Sequence, residues 1–549
     1  MRHLAVALAA LPLAGLPPWS ATLVRTPERV LSPALAHILA HSLSSLSTVA
    51  PPCRWRVELP MTGSTRALNT LIARVENQLR APAAICVSGV ARNPIVVANK
   101  WSAALLWLLG SGPGVVVDPP RLSPALVAPG VPDGTVGAID VVGSRGVVVA
   151  NFHIEHVVAA WGTTPAGILV EIAGRNEGVA EAGCLLHGDH HCGEVALVDD
   201  SVRDVRAPGD TWPPAPRACG LAAIDGYGIE IFDAAPQRSA ALENLLLDGV
   251  SVADTRVGQS ETVAISGNVD GAVVANTSVV GSDNIGIDVE GYYGTSARPR
   301  HVALLDSTVA SADSWTNASY GAQTHRGCTP GAPSAAGIYD DGAAWLLIAH
   351  DRVLDTNQGI SLDTETAHHE SDHVVVLDDT VLDAPNLALP AADQDAIAAA
   401  DLTGTLATGG RAFDALYLDA FGLATRITDV LAVHDLLEND STFWQARLHQ
   451  GAEVVVLGGR WSQVMLSDLV ARAASASNAP VPLEFDRWPT TWRGTRLACL
   501  TLLGGPAGAT VATPTSTAAS IAAALRAPGD PRGASRALSG CSAEHPEHR

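Results

Sequence analysis

Three acidic residues carry the chemistry most legible in this sequence: Glu290, Asp341 and Asp363. Each stands at the same offset behind a glycine, in Gly286-Ile-Asp-Val-Glu290, Gly337-Ile-Tyr-Asp-Asp341 and Gly359-Ile-Ser-Leu-Asp363. If the glycines stack, the three carboxylates form an outward column, with Asp288, Tyr339 and Ser361 in a parallel column beside them. Stacked strands repeat at about 4.8 Å, which puts neighbouring acids about 5 Å apart and the outer pair about 10 Å apart. Ionised carboxylates that close repel, so either one keeps its proton or a cation sits among them. An acid and a base flanking a glycosidic bond use the first arrangement; calcium neutralising a uronate uses the second. The outer separation lies nearer the roughly 6.5–9.5 Å of an inverting pair than the neighbour spacing does. Glu290, Asp341 and Asp363 are therefore the expected catalytic set. The same column is also what a solvated face of an acidic protein would show.

Residues 291–335 interrupt the pattern with Tyr292, Tyr293, Arg298, Arg300, Trp315, Tyr320 and Arg326, a mixture suited to stacking on sugar rings. Loops on a rigid scaffold are a common seat of binding, though these side chains could equally pack the loop down. Asp288, Tyr339, Tyr292, Tyr293, Trp315 and Glu365 are the expected substrate-binding residues. No residue is assigned to a metal. The cofactor stays open, with Ca2+ the one ion the acidic column suggests. Cys184-Leu-Leu-His-Gly-Asp-His-His-Cys192 has zinc-ligand types, but its cysteines stand farther apart than the two to four residues usual in structural zinc sites. A disulfide-closed polar hairpin is the preferred reading. His368, His369 and His373, with Glu370 and Asp372, form a polar turn whose imidazoles could reach the acidic column or remain in solvent.

The elements that must position these groups repeat along the chain. An Asn or Asp three places before a β-branched residue recurs at Asn151–Ile154, Asp199–Val202, Asn276–Val279, Asp306–Val309 and Asp378–Val381, with poorer copies ending at Val250 and Val353. Several intervals are roughly 28–30 residues, one coil of a solenoid, and longer ones need a loop or a hidden coil. Asn and Asp suit a tight corner, where left-handed backbone is tolerated and polar ladders can stack. Behind each glycine, alternation turns Ile287, Val289, Ile338, Ile360 and Leu362 inward, and Asp340 breaks the rule at an inward place. Residues 64–80 place Leu68, Leu71, Ile72, Val75 and Leu79 at helical spacing, an amphipathic helix able to cap the solenoid's open end.

The reading is an all-β solenoid over 137–470, preceded by a cap and irregular coils over 22–136. A C-terminal extension follows at 471–503 and a low-complexity tail at 504–549. Residues 1–21, with Arg2 before an apolar run, read as a signal peptide; Trp19 is large for cleavage after Ala21 and Ala34-Leu35-Ala36 lies late, so the cleavage point stays open. Hydrophobic residues make up 47% and aromatics 4%, which suits thin coils of Ala, Val and Leu. The formal charge of −22 and a single lysine, Lys100, exclude nucleic acid and anionic membrane surfaces as partners. No run is long enough to span a bilayer, and eight cysteines favour disulfides in a secreted, extracellular monomer.

The segments DNIGIDVEG (283–291), AAGIYDDG (335–342) and NQGISLDTE (357–365) resemble the pectate-lyase-like superfamily of bacterial proteins. That resemblance covers roughly residues 137–390 and implies a right-handed parallel β-helix. The superfamily holds polysaccharide lyases, inverting hydrolases, esterases and non-enzymatic surface proteins. The polygalacturonase set of Asn-Thr-Asp, Asp-Asp, Gly-His-Gly and Arg-Ile-Lys is missing, as is a lyase signature with its basic residue, so no catalytic residue transfers. The expected function is a secreted polysaccharide-active protein cleaving glycosidic bonds through an acidic surface groove. The alternatives are a calcium-dependent lyase and a non-catalytic glycan-binding or surface β-helix.

Overall fold

The computed structural model describes residues 49–383, apart from 112–114, 120, 124–125, 127–133, 173–183, 185–191, 211–224, 235–240, 293–295, 315–316, 321, 325–326, 330–334 and 365–369, together with strand segments between 414 and 503. Three parallel sheets of 15, 12 and 11 strands run through it. One coil visits them in turn: Arg145–Ala150 in the first sheet, Phe152–Val158 in the second, Thr164–Ile172 in the third, then Cys192–Val198 back in the first. The chain is a parallel β-helix. Its ladder runs from Cys53–Glu58 to Thr501–Leu503, beyond the regular repeat on both sides. The expected helix is present as Arg66–Val75 and buries Leu68 and Ile72 against the core.

The corners explain the Asn/Asp repeat. Asn151, Asp199, Asn276, Asp306 and Asp378 all carry positive φ, from 49° to 59°, and His350 opens its copy at 59°. Short polar side chains tolerate this region because they bond locally to backbone. The copy ending at Val250 is out of step by two residues: Gly249 turns that corner at φ 70°, and Val252 pairs with Val202 and Val279.

The polar ladder stands one residue after the corner. Asp379 N–H donates to Asp435 Oδ1 at 2.9 Å, Asp351 N–H to Asp379 Oδ1 at 2.6 Å, and Ser307 N–H to Asp351 Oδ1 at 2.6 Å. Earlier in the chain Phe152 N–H donates to Asp200 Oδ1 at 2.8 Å. Each carboxyl thus satisfies an amide that the corner would otherwise bury unpaired. Burial pushes the Asp200 carboxyl up to about 8. Burial and then mutual repulsion raise Asp351, and burial raises Asp379, well above the carboxylate range.

The glycines have a packing cause. A Cβ on Gly228 would meet Val252 Cγ1 at 2.5 Å and Thr262 O at 2.6 Å. Gly167, Gly286 and Gly337 abut Val202, Val309 and Val353 in the same way. Each glycine therefore opens a third-sheet strand pressed against the anchor valine of a second-sheet strand. The two sequence patterns are halves of one contact. Two disulfides, Cys53–Cys86 and Cys184–Cys192, tie early coils, and the second replaces the zinc reading of that hairpin.

Two outcomes follow. Gly228→Ala should cost about 1–3 kcal/mol by overpacking, partly restored by Val252→Ala, as read from denaturant midpoints. Thermal stability should fall as pH rises from about 4 to 8. In that window the unfolded chain releases protons that Asp200 and Asp140, both held up to about 8, retain in the fold. Asp351→Asn, which keeps an oxygen acceptor without the charge, should flatten that slope in thermal scans; an unchanged slope would remove Asp351 from the ladder's proton account.

Candidate active site on the third sheet

Backbone register decides what shares a face. Glu290 pairs with Asp341, Asp341 with Asp363 and Asp363 with Asp419, so the expected column exists. The parallel column runs Glu230, Ala264, Asp288, Tyr339, Ser361. Ile287, Ile338 and Ile360 alternate with these positions and are fully buried in the core, so the carboxylates face away from it. Asp340 takes the inward place between Val289 and Leu362. Its Oδ1 accepts from Ala343 N–H at 2.8 Å, and burial raises its carboxyl to about 7.

The expected open surface is corrected by burial. Asp288, Asp341 and Asp363 are only 1–2% exposed, Tyr339 is buried, and Glu290 is half-buried. Tyr292, just past the strand that carries Glu290, meets Phe232 of the same column edge-on, ring centroids 5.0 Å apart, and residues 300–312 of the expected insertion are strands of the first and second sheets. Tyr292 thus packs within the protein. Tyr293, Trp315 and Glu365 lie outside the described residues, as do His368 and His369. His373 stacks on Trp345 of the first sheet at 3.8 Å and does not join the column. Arg298 and Arg300 are engaged with Asp372 at 2.9 Å and Asp270 at 3.2 Å.

Among the described residues, one trio of acids converges one coil before the column's middle. Glu261, Asp288 and Glu290 each bring an oxygen within 4.8 Å of the others. Ser266 Oγ donates to Glu290 Oε1 at 2.6 Å. Burial, then the charges of Glu290, Asp225 and Glu230, push the Glu261 carboxyl well above its usual range. The Tyr227 hydroxyl is raised by burial and by Glu230, Glu261 and Glu290. Burial and the three neighbouring acids thus favour the protonated form of Glu261, and a hydroxyl donor holds one oxygen of Glu290. Although no metal ligand was expected from sequence, the same three oxygens could also hold a hard cation.

Glu261 and Glu230 escaped the sequence reading for identifiable reasons. Gly228-Ile-Glu-Ile-Phe232 is a further copy of the glycine pattern and signals Glu230 directly. The next coil, Thr262-Val-Ala-Ile-Ser266, carries Thr at the glycine place, which hides it. Glu261 precedes that strand at the corner, where alternation gives no information.

No family model and no curated protein matches the chain. Among solved structures it is similar to the Agl-KA catalytic domain, at 11% identity over 82% of this chain and 66% of that one, with a TM-score of 0.42. It is also similar to the GH136 lacto-N-biosidase from Eubacterium ramulus, at 11% identity, 78% and 64% coverage and TM-score 0.33. A third is the polygalacturonase from Erwinia carotovora ssp. carotovora, at 9% identity, 83% and 96% coverage and TM-score 0.31. The chain spans about two thirds of the length of the first two. The resemblance to right-handed parallel β-helix proteins holds for the fold, which the chain's own three parallel sheets carry.

Glu261→Gln mimics the protonated acid. With chelator present, it should leave the thermal midpoint nearly unchanged at pH 5 and raise it by a few degrees at pH 9, where the native carboxyl would ionise among like charges. An equal shift at both values would show that charge crowding does not act on Glu261.

Proposed function

We propose that this is a secreted, polysaccharide-active enzyme that cleaves glycosidic bonds on the outward face of the third sheet. The observation that carries the reading is the convergence of Glu261, Asp288 and Glu290 within 4.8 Å, with Asp341 and Asp363 in register behind them. Glu261 keeps its proton and serves as general acid to the leaving oxygen. Glu290, held by Ser266, is the carboxylate that attacks or activates water. The closeness of these two favours the short separation of a retaining pair, about 5 Å, over the wider inverting geometry. Glu290, the half-buried member, is the group a sugar would meet first, and the buried Asp288, Tyr339, Asp341 and Asp363 back it from neighbouring strands. Disulfides support export, and the helix Arg66–Val75 would serve as the N-terminal cap of a monomeric solenoid.

A second reading rests on the same three oxygens. A calcium ion among Glu261, Asp288 and Glu290 would make the face a cation-dependent site for an acidic glycan, cleaved by elimination or merely bound. The lone lysine does not supply an eliminating base: Lys100 is fully buried, and its Nζ donates to Ser102 O and to Arg145 O, the latter at 2.6 Å. Membrane insertion finds no support, since no helix among the described residues is long and apolar enough to cross a bilayer.

A panel of neutral and uronic polysaccharides, with and without chelator, separates these readings. New reducing ends released with retained configuration are expected, and Glu261→Gln and Glu290→Gln should each lower kcat by about 100-fold or more. Unsaturated, calcium-dependent product would transfer the assignment to the second reading. Binding without product across the panel would sink both enzymatic readings.

A further inference from the structure

The first sheet is apolar on both faces. Val147 and Val149 point into the core, yet Val148 between them is also fully buried. Val148, Leu246, Val273, Ala303, Leu347 and Val375 all occupy this outward parity, in one register-linked column, and none is more than 3% exposed. An outward position on an uncovered sheet behaves differently: Val280, on the second sheet, is 42% exposed. The described residues that border the apolar face, including Leu109, Val198 and Trp345, belong to the same sheet or adjoin it. A parallel sheet buried on both sides needs a covering layer.

The chain itself points to the occupant. Ala50 and Cys53 pack on the edge of this face, and Cys53 opens the first strand of the first sheet, locked to the next strand through Cys86. The segment before Val49 is therefore delivered onto this face at its first rung. The other terminus leaves from Thr501–Leu503, on the second sheet. Within the leading segment, Leu35, Ile38, Leu39, Leu43 and Leu46 recur at helical spacing behind Ser32-Pro33, a capping residue followed by proline at a first helical position. No Asp, Glu, Lys or Arg stands between Arg29 and Arg54. A helix over 33–47 would be about 22 Å long and cover roughly four or five rungs spaced at 4.8 Å.

We propose that residues 33–47 dock as an amphipathic helix along the outward apolar face of the first sheet, as an intramolecular partner of the solenoid. This is independent of the chemistry on the third sheet. It also bears on export: a signal peptide ending near Ala21 leaves the docked stripe whole, whereas cleavage after Ala36 removes Leu35 and the Ser32-Pro33 start.

The test uses the full-length chain with a benzophenone amino acid at Leu39 or, as control, at His37 on the opposite side of the helix. Irradiation and peptide mapping should give intramolecular crosslinks from position 39 to peptides carrying Trp107, Val148 or Ala196, on the third to fifth strands of the sheet, at least tenfold above those from position 37. In parallel, Leu39→Asp should raise dye binding to exposed apolar surface and speed amide exchange in Leu106–Gly110 and Arg145–Ala150, while Ser44→Asp should do neither. Equal crosslinking from both positions, or crosslinks to other sheets, would overturn the proposal. Crosslinks between chains would give the face to a second copy instead. A mature N-terminus beyond Leu43 in the exported protein would overturn it as well.

Discussion

Coil-to-coil register in this solenoid depends on one close approach, between the glycine opening a third-sheet strand and the anchor valine of a second-sheet strand. With a Cβ 2.5 Å from Val252 Cγ1, no residue but glycine fits at position 228 without moving a strand. The contact narrows the cross-section where two sheets meet, and its repetition keeps successive coils in step. That step matters for chemistry. Because Ile229, Val263, Ile287 and Ile338 stay in line, the residues that alternate with them stay in line too. Carboxylates on different coils, far apart in sequence, are brought to one rung spacing by a packing contact on the opposite side of the backbone.

Such alignment has an electrostatic cost. A rung spacing near 4.8 Å is too short for two buried carboxylates to ionise together without compensation. The chain meets this in two ways. In the corner ladder each carboxyl accepts backbone amides, as Asp379 does from Asp351 and Leu377, so its neighbours are donors as well as acids. At Glu261 the principal influences after burial are three other carboxylates. The first arrangement holds a corner closed. In the second, burial and those neighbours favour the protonated form.

Much of the scaffold was legible because it repeats with period two along strands and near one coil along the chain. Asn151, Asp199, Asn276, Asp306 and Asp378 announced left-handed corners by residue type alone. The glycine motifs gave the register of Glu290, Asp341 and Asp363 for the same reason. What alternation cannot report is depth: it tells inward from outward, and on this face the outward Asp288, Asp341 and Asp363 are still buried. It also fails where a coil breaks its template, as at Thr262, and at corners such as Glu261, where backbone direction changes between one sheet and the next. The ladder was placed one residue early for a related reason. Asp199 and Asp200 are identical in type, and only the fold distinguishes the residue that turns from the residue that is buried.

That distinction gives a physical criterion for reading the many acids of this protein. Net charge alone would class them all as solvated, yet Asp140, Asp200, Asp340, Asp351 and Asp379 are buried with raised affinity for protons and accept backbone amides. They are structural acids, and replacing one with an amide would preserve much of what it does. Glu261, Asp288 and Glu290 face one another across adjacent coils, in a place where apolar residues would pack more cheaply. The proposed function rests on these three acids. A reacting sugar and a bound cation are the two chemistries that would use them, and both require the proton on Glu261 to move or be displaced.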